Sequence, residues 1–162
     1  MNVDENIGFL NDDRSRYEKE TTKRLYALIT QVIMRILDHK SEIGKVHINN
    51  GKSAWPIVYE KAHNIDYALA MFKNGQIGLV RRICFINGET CNFAFIKEVD
   101  FSELNTIECT DPIISELFTL SDFFKGLMGL ALKSGVRIHD IETWKNEYDE
   151  LHKRVEEFVS GF

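Results

Sequence analysis

The chain has 162 residues, of which 44% are hydrophobic and 28% charged, and its formal net charge at pH 7 is −5. A chain of this length can bury a core that needs neither a disulfide nor a structural metal, and three cysteines suit a reducing compartment. Its apolar stretches are shorter than the ~20 residues of a membrane span. These features predict one cytoplasmic domain over residues 1–162, with residues 1–11 flexible, and argue against a membrane protein.

A helical pattern begins at Asp12 and continues to about Glu42. Its first half is almost entirely charged, whereas its second half places apolar residues on one broad face. These residues are Leu25, Leu28, Ile29, Val32, Ile33 and Ile36. A face of this width is typical of a helix that packs on a sheet. Gly44 is predicted to end the helix as its C-terminal glycine.

Six short extended segments follow the helix. They lie at about 45–49, 55–61, 66–73, 76–86, 91–98 and 104–109. Apolar segments of this length, separated by turn residues, predict an antiparallel β-meander of about five or six strands. The joins at residues 74–75 and 87–88 are both Asn-Gly. This dipeptide favours a two-residue type I′ hairpin turn, because both positions tolerate positive φ.

Two-residue turns at these joins fix a strand register. The first turn places Tyr67 opposite Arg82, and the second places Arg82 opposite Phe93 and Cys84 opposite Cys91. We interpret the two cysteines as reduced thiols rather than a disulfide, because of the reducing compartment. Both faces of the resulting sheet are apolar, so helices, a curl of the sheet or another subunit must cover them.

The last third of the chain predicts two or three helices. Asp111-Pro112 is a helix start, and a second helix ends at Ser134-Gly135. The final helix carries an apolar seam with alternating spacings of three and four. Its members are Ile141, Trp144, Tyr148, Leu151, Val155, Phe158 and Phe162. A heptad seam must be covered by the same chain or by a second copy, so we predict the five residues from Trp144 to Phe158 as a dimer interface.

Charge is unevenly distributed along the chain. Residues 21–97 carry eleven basic and five acidic side chains, whereas residues 98–162 carry six basic and fourteen acidic ones. Residues 98–122 hold seven acids and no base. An acidic surface disfavours nucleic-acid binding, which depends on phosphate neutralisation, and it would suit a basic protein partner. Alternatively, these acids lie at helix N-termini, where they oppose the macrodipole.

Arg81 and Arg82 are the candidate ligand-binding residues. They are adjacent on the predicted central strand, so their side chains point to opposite faces. The predicted register places Arg82 between Tyr67 and Phe93. A guanidinium among apolar residues needs a carboxylate, a bound anion or water. The pattern therefore indicates either an anion pocket that uses Arg81, Arg82 and Tyr67 or an internal ion pair with a C-terminal acid.

Signatures of metal binding and catalysis are missing from the sequence. The five histidines lack the spacing of metal ligands, and no glycine-rich phosphate loop or Gly-x-Ser-x-Gly motif occurs. Two glycines in the second C-terminal helix, Gly126 and Gly129, are better explained by close helix packing. We therefore predict no metal, no cofactor and no catalytic residue.

These observations predict an α+β fold: a long N-terminal helix, an antiparallel β-meander of about five or six strands, and two or three C-terminal helices. The first functional hypothesis is a non-catalytic protein-interaction module, such as a small acidic adaptor, inhibitor or immunity-type protein. It would bind a basic protein surface or a second copy of itself through its helical and acidic surface. The alternative is an anion-binding pocket protein or enzyme that uses Arg81 and Arg82, with Tyr67, His63 or Glu98 as acid–base groups.

Overall fold

The structure is a computed structural model that describes residues 3–49, 51–60, 67–84, 91–104 and 112–160. Its elements in chain order are α1 (Val3–Asp38), β1 (Val46–His47), β2 (Ser53–Tyr59), β3 (Tyr67–Phe72), β4 (Ile77–Cys84), β5 (Cys91–Val99), α2 (Phe101–Leu104), α3 (Pro112–Leu117), α4 (Leu120–Lys133) and α5 (Ile138–Ser160). The predicted α+β class is confirmed, with an N-terminal helix, five antiparallel strands and C-terminal helices. The sixth predicted strand began at Leu104, which instead ends α2, and its remainder lies outside the described residues.

Helix α1 differs from its predicted bounds at both ends. It begins at Val3 rather than Asp12, so residues 3–11, expected as a flexible start, are helical. It ends at Asp38 because Lys40, rather than Gly44, is the first residue to adopt a left-handed backbone, with φ of 49°. The predicted apolar face is confirmed, since all six of its residues are at most 3% exposed.

The five strands form one antiparallel sheet in chain order. The sheet curls, so that Ile48, just after β1, bridges Phe93 of β5, and the Asn49 amide donates to the Phe93 carbonyl at 2.9 Å. This curl encloses a small cluster on one face, composed of Ile48, Ala54, Ala68, Ala70, Phe72, Val80 and Phe93. Helices cover the other face, where Trp55, Leu69, Met71, Ile77, Leu79 and Val99 join the main core. Both faces thus carry an apolar cluster that is covered within the chain, whereas Ile83, Phe95 and Ile96 remain exposed.

The predicted register between β3 and β4 is wrong by one residue. Tyr67 pairs with Arg81 instead of Arg82. The turn has three residues rather than two, because the Phe72 amide donates to the Gln76 carbonyl and only Gly75 adopts positive φ. This geometry is that of a type I turn followed by a glycine bulge. The Asn74 side chain accepts a hydrogen bond from the Gln76 amide at 3.0 Å, and this bond stabilises the turn.

The register between β4 and β5 is confirmed near the second turn. Arg82 pairs with Phe93, and Cys84 pairs with Cys91. The register shifts by one residue between Leu79 and Val80, which marks a bulge in the long hairpin. The turn itself, residues 85–90, lies outside the described residues.

Helix α5 runs antiparallel along α1. An ion pair between Arg35 and Asp140, at 3.2 Å, lies at one end, and an edge contact between the rings of Tyr17 and Phe158, at 5.4 Å, lies at the other. The heptad seam is core within the single chain. Its first five members are at most 7% exposed and Phe158 is half-buried, whereas Phe162 lies outside the described residues. Intramolecular packing was one of the two arrangements that the seam allowed.

Candidate functional site

A groove of about 670 Å³ lies between α4 and α5. Its lining residues are Ser121, Phe124, Lys125, Met128, Gly129, Leu132, Ile141, Lys145, Tyr148, Asp149, His152, Lys153 and Glu156. On α4 the lining extends from Ser121 to Leu132, or about 16 Å at 1.5 Å per residue. Such a volume lies within the range of protein ligand pockets, and its length matches three turns of a helix.

Local sequence features hold the two helices that form this groove. Gly135, with φ of 92°, ends α4: its amide donates to the Leu132 carbonyl, and the Val136 amide donates to the Ala131 carbonyl at 3.0 Å. This pair of bonds is a Schellman motif, which reverses the chain directly into α5. The predicted end at Ser134-Gly135 is therefore confirmed. The opposite end of α4 is capped by the Thr119 hydroxyl, which accepts from the Asp122 amide at 3.1 Å.

Stacked aromatic rings form the floor of the groove. The rings of Phe124 and Tyr148 stack with centroids 4.0 Å apart and an interplanar angle of 7°. On the other side, His152 stacks on Tyr148 at 5.3 Å, as residues four apart on one helix can do. Phe124, Met128 and Tyr148 are each at most 4% exposed, so the floor is well packed. Leu132, by contrast, is 57% exposed at the end of the groove.

The surroundings of Tyr148 shift the pKa of its hydroxyl. Burial raises the pKa of its hydroxyl from 10.0 to about 12, and the hydrogen bond with Ser121 acts in the opposite direction. The two hydroxyl oxygens are 3.2 Å apart. Tyr148 is therefore neutral at physiological pH and acts as a packed aromatic ring rather than an acid–base group.

Charged side chains surround the apolar floor. Lys125 lies on the α4 side, whereas Lys145, Asp149, Lys153 and Glu156 lie on the α5 side. Beyond the groove, the solvent-exposed side of α5 is predominantly acidic. It carries Glu142, Glu147, Glu150 and Glu157, and its one basic residue, Arg154, pairs with Glu150 at 2.6 Å. We call these four glutamates the outer face of α5.

The structure pairs the two predicted ligand-binding arginines with different aromatic residues from those that the sequence predicted. The Arg81 guanidinium is exposed and lies 5.9 Å from the centroid of the Tyr67 ring. Arg82 is half-buried, with its guanidinium 5.5 Å from the ring of Tyr59 and 5.9 Å from that of Phe93. Tyr67 therefore contacts Arg81 rather than Arg82, as the one-residue change in register requires. Neither arginine lines the α4–α5 groove.

The remaining sequence predictions concern the acid–base candidates Glu98 and His63 and the acidic segment 98–122. Glu98 is exposed on β5, and His63 lies outside the described residues. In the acidic segment, Glu103 pairs with Lys97 at 3.0 Å and accepts from the Asp100 amide at 2.7 Å, while Asp122 lies in the first turn of α4. These contacts support the helix-start interpretation for Glu103 and Asp122. The segment 105–111 lies outside the described residues.

Of the five residues predicted as an interface, only Tyr148 lines the groove, and sequence reasoning missed the rest of it. Tyr148 belongs to the predicted interface, but Phe124, Lys125, Met128 and Leu132 drew no functional interpretation. The available signal was that apolar residues occur on more than one side of α4, which one packing partner does not explain.

Across the described residues, no group of three or more His, Cys, Asp or Glu side chains is arranged to hold a metal ion. None of the described helices is both long and apolar enough to cross a membrane. Comparisons of the chain with protein-family models, with curated proteins and with solved structures gave no match. The function must therefore be inferred from the geometry of the chain itself.

Proposed function

We propose that this protein is a non-catalytic protein-interaction module that binds an amphipathic helix of a partner protein in the α4–α5 groove. The observation that carries the proposal is the groove itself, a three-turn channel with an aromatic floor between two surface helices. Amphipathic helices bind such channels by inserting apolar side chains at intervals of three and four residues. The exposed Leu132 extends the apolar surface that such a helix would cover.

Charge at the rim of the groove is mixed, with Lys125, Lys145 and Lys153 against Asp149 and Glu156, and the acidic outer face of α5 lies beyond it. The α4 bank is slightly basic, with Lys125 and Lys133 against Asp122, whereas residues 138–158 carry seven acids and three bases. A partner helix that extended past this rim would meet opposite charge if its basic residues lay towards the outer face of α5. Rim charges of this kind mainly set partner choice and association rate, whereas apolar contacts such as that of the exposed Leu132 supply affinity.

A second copy of the chain is the competing occupant. The residues first predicted as a dimer interface, Trp144, Tyr148, Leu151, Val155 and Phe158, pack within one chain. A homodimer that preserves this core would have to use another surface, and the groove is one such surface. Solution mass by light scattering separates the two: a monomer at high concentration favours a different partner, and a dimer that Leu132→Asp converts to monomer identifies a second copy.

The binding proposal is tested with a synthetic helical peptide of about three turns built from leucine and lysine. Leu132→Asp should weaken binding of this peptide by about tenfold or more, because it places a charge on the apolar contact. Ile43→Asp is the matched control, since Ile43 is similarly exposed, at 52%, and lies outside the groove. Replacing the peptide lysines with glutamate should weaken binding to the unmodified protein. Equal affinities for both variants would contradict the proposal.

Anion binding at the arginine strand is a second candidate. It is favoured by the exposed Arg81 guanidinium, which Tyr67 supports from one side. Arg81→Ala should then abolish binding of a small anion such as phosphate while the fold is retained. Loss of the fold would instead assign Arg81 a structural role.

A further inference from the structure

A second cavity, of about 380 Å³, lies where the chain leaves α1 and meets β2 and the β3–β4 turn. Its apolar wall includes Leu37 and Trp55, and three lysines, Lys40, Lys45 and Lys73, reach it from separate positions along the chain. It lies within the part of the sequence, residues 21–97, that carries eleven basic and five acidic side chains. This lysine pocket is distinct from the α4–α5 groove and shares no lining residue with it.

The pocket carries excess positive charge. Among the described residues that line it, Glu42 is the one acid, and it pairs with Lys45 at 3.3 Å. The Glu42 side chain is 81% exposed, so the pair is open to solvent on the carboxylate side and is held weakly. The Lys45 side chain is only 18% exposed. A bound anion could therefore replace Glu42 beside an ammonium group that is already positioned.

Contacts around Trp55 fix the pocket. Its indole N–H donates to the Ser41 carbonyl at 3.2 Å, which ties the loop after α1 to strand β2. The Lys45 ammonium lies 5.8 Å from the Trp55 ring centroid, where the ring quadrupole favours a cation. Lys40 is the one described non-glycine residue with positive φ. This backbone conformation ends α1 and turns the chain towards the pocket.

We propose that the lysine pocket binds a small organic phosphate, with the phosphate among Lys40, Lys45 and Lys73 and the apolar part against Leu37 and Trp55. Lysine is a common phosphate ligand that acts as a point charge, and three of them can neutralise a dianion. The apolar wall explains why an organic phosphate should bind better than inorganic phosphate. The proposal involves no proton transfer and no bond formation or cleavage, so it describes a binding site and not a catalytic one.

The test uses phenyl phosphate, inorganic phosphate and phenol as probes of the full chain. Binding is followed through the two tryptophan indole N–H signals in nitrogen-15 NMR spectra, which report on Trp55 and Trp144 separately. Phenyl phosphate should move the Trp55 signal and leave that of Trp144 in place. Inorganic phosphate should bind more weakly, phenol should not bind, and added salt should weaken the phenyl phosphate complex.

Three substitutions locate the site. Lys45→Met and Lys73→Met should each weaken phenyl phosphate binding by about fivefold or more, since each removes one of three charges. Lys23→Met, on an exposed part of α1 away from the pocket, should change it less than about twofold. Lys73 is exposed, so its substitution should leave the fold intact even if Lys45→Met does not.

Three outcomes would overturn the proposal. They are an unmoved Trp55 signal, equal affinity for inorganic and phenyl phosphate, and binding that depends on Arg81 instead of Lys45 and Lys73.

Discussion

The two glycines of α4 provide the sharpest test of how the groove is built. Gly126 packs directly on strand β2. A Cβ added there would lie 2.7 Å from Ile57 Cγ2 and 3.1 Å from the Ile57 carbonyl carbon, and closer still to the carbonyl oxygen. At Gly129, one turn further along α4, an added Cβ would meet no atom within 4 Å. The same substitution, glycine to alanine, should therefore clash with β2 at Gly126 and meet no neighbouring atom at Gly129.

The expected magnitudes follow from these distances. Carbon atoms prefer separations of about 3.5–4.0 Å, so Gly126→Ala must push α4 away from the β2 backbone by roughly 1 Å. Overpacking of this kind costs about 1–3 kcal/mol. Both variants gain about 1 kcal/mol because alanine replaces glycine in a helix. We therefore expect Gly129→Ala to be about 1 kcal/mol more stable than the original protein, and Gly126→Ala to be about 1–3 kcal/mol less stable than Gly129→Ala.

The assay is urea unfolding followed by circular dichroism, with both variants and the original protein at one pH. The dependence of unfolding free energy on urea should be the same for all three, so that differences in midpoint report stability alone. The reasoning is refuted if Gly126→Ala is as stable as Gly129→Ala, because that result would mean that α4 does not approach β2 at Ile57.

Two further predictions concern α5. Tyr148→Phe should cost about 1 kcal/mol at pH 7, through loss of the hydrogen bond with Ser121. Because the pKa of Tyr148 is raised to about 12, its neutral form contributes stability in full below pH 10, and this contribution is lost as the pH rises from 10 to 12. The unfolding free energy of the original protein should therefore fall by about 2 kcal/mol more than that of Tyr148→Phe over this interval, and a pH-independent difference would contradict the assignment. Leu151→Ala should lower the unfolding free energy by about 2–5 kcal/mol without changing solution mass, since Leu151 is 2% exposed within one chain; a halved mass would assign it to a subunit interface.

Hydrophobic periodicity predicted the helices well because each helix buries one continuous apolar stripe. The apolar face of α1 and the seam of α5 both recur at helical spacing, and both are buried in the structure. The missed C-terminal limit of α1 has a backbone cause. Lys40 adopts the left-handed conformation that the sequence suggested for Gly44, and single-residue propensity does not foresee a strained lysine.

The β3–β4 register was mispredicted because Asn-Gly fits two different turns. In a type I′ turn both residues have positive φ, whereas here only Gly75 does and the Asn74 side chain bonds to Gln76. The resulting shift of one residue moved Tyr67 from Arg82 to Arg81 and changed the geometry of the predicted ligand site.

The groove could not be predicted because it belongs to neither helix alone. Met128 and Leu132 are both apolar, as core residues are. Met128 is nearly buried and Leu132 is exposed, and the sequence of α4 alone does not distinguish them. The lysine pocket has the same origin, since Lys40, Lys45 and Lys73 converge only after the sheet has folded. Sites assembled from separate elements require the tertiary structure.

The most direct test of the groove as a binding surface is an NMR titration of the uniformly nitrogen-15-labelled protein with the leucine–lysine helical peptide. Binding in the groove should shift amide signals along its two banks, including those of Lys125, Gly129 and Asp149, and leave the strands β3 and β4 unchanged. Shifts that occur on the sheet and not along α4 and α5, or no shifts at millimolar peptide, would contradict the proposed interaction site.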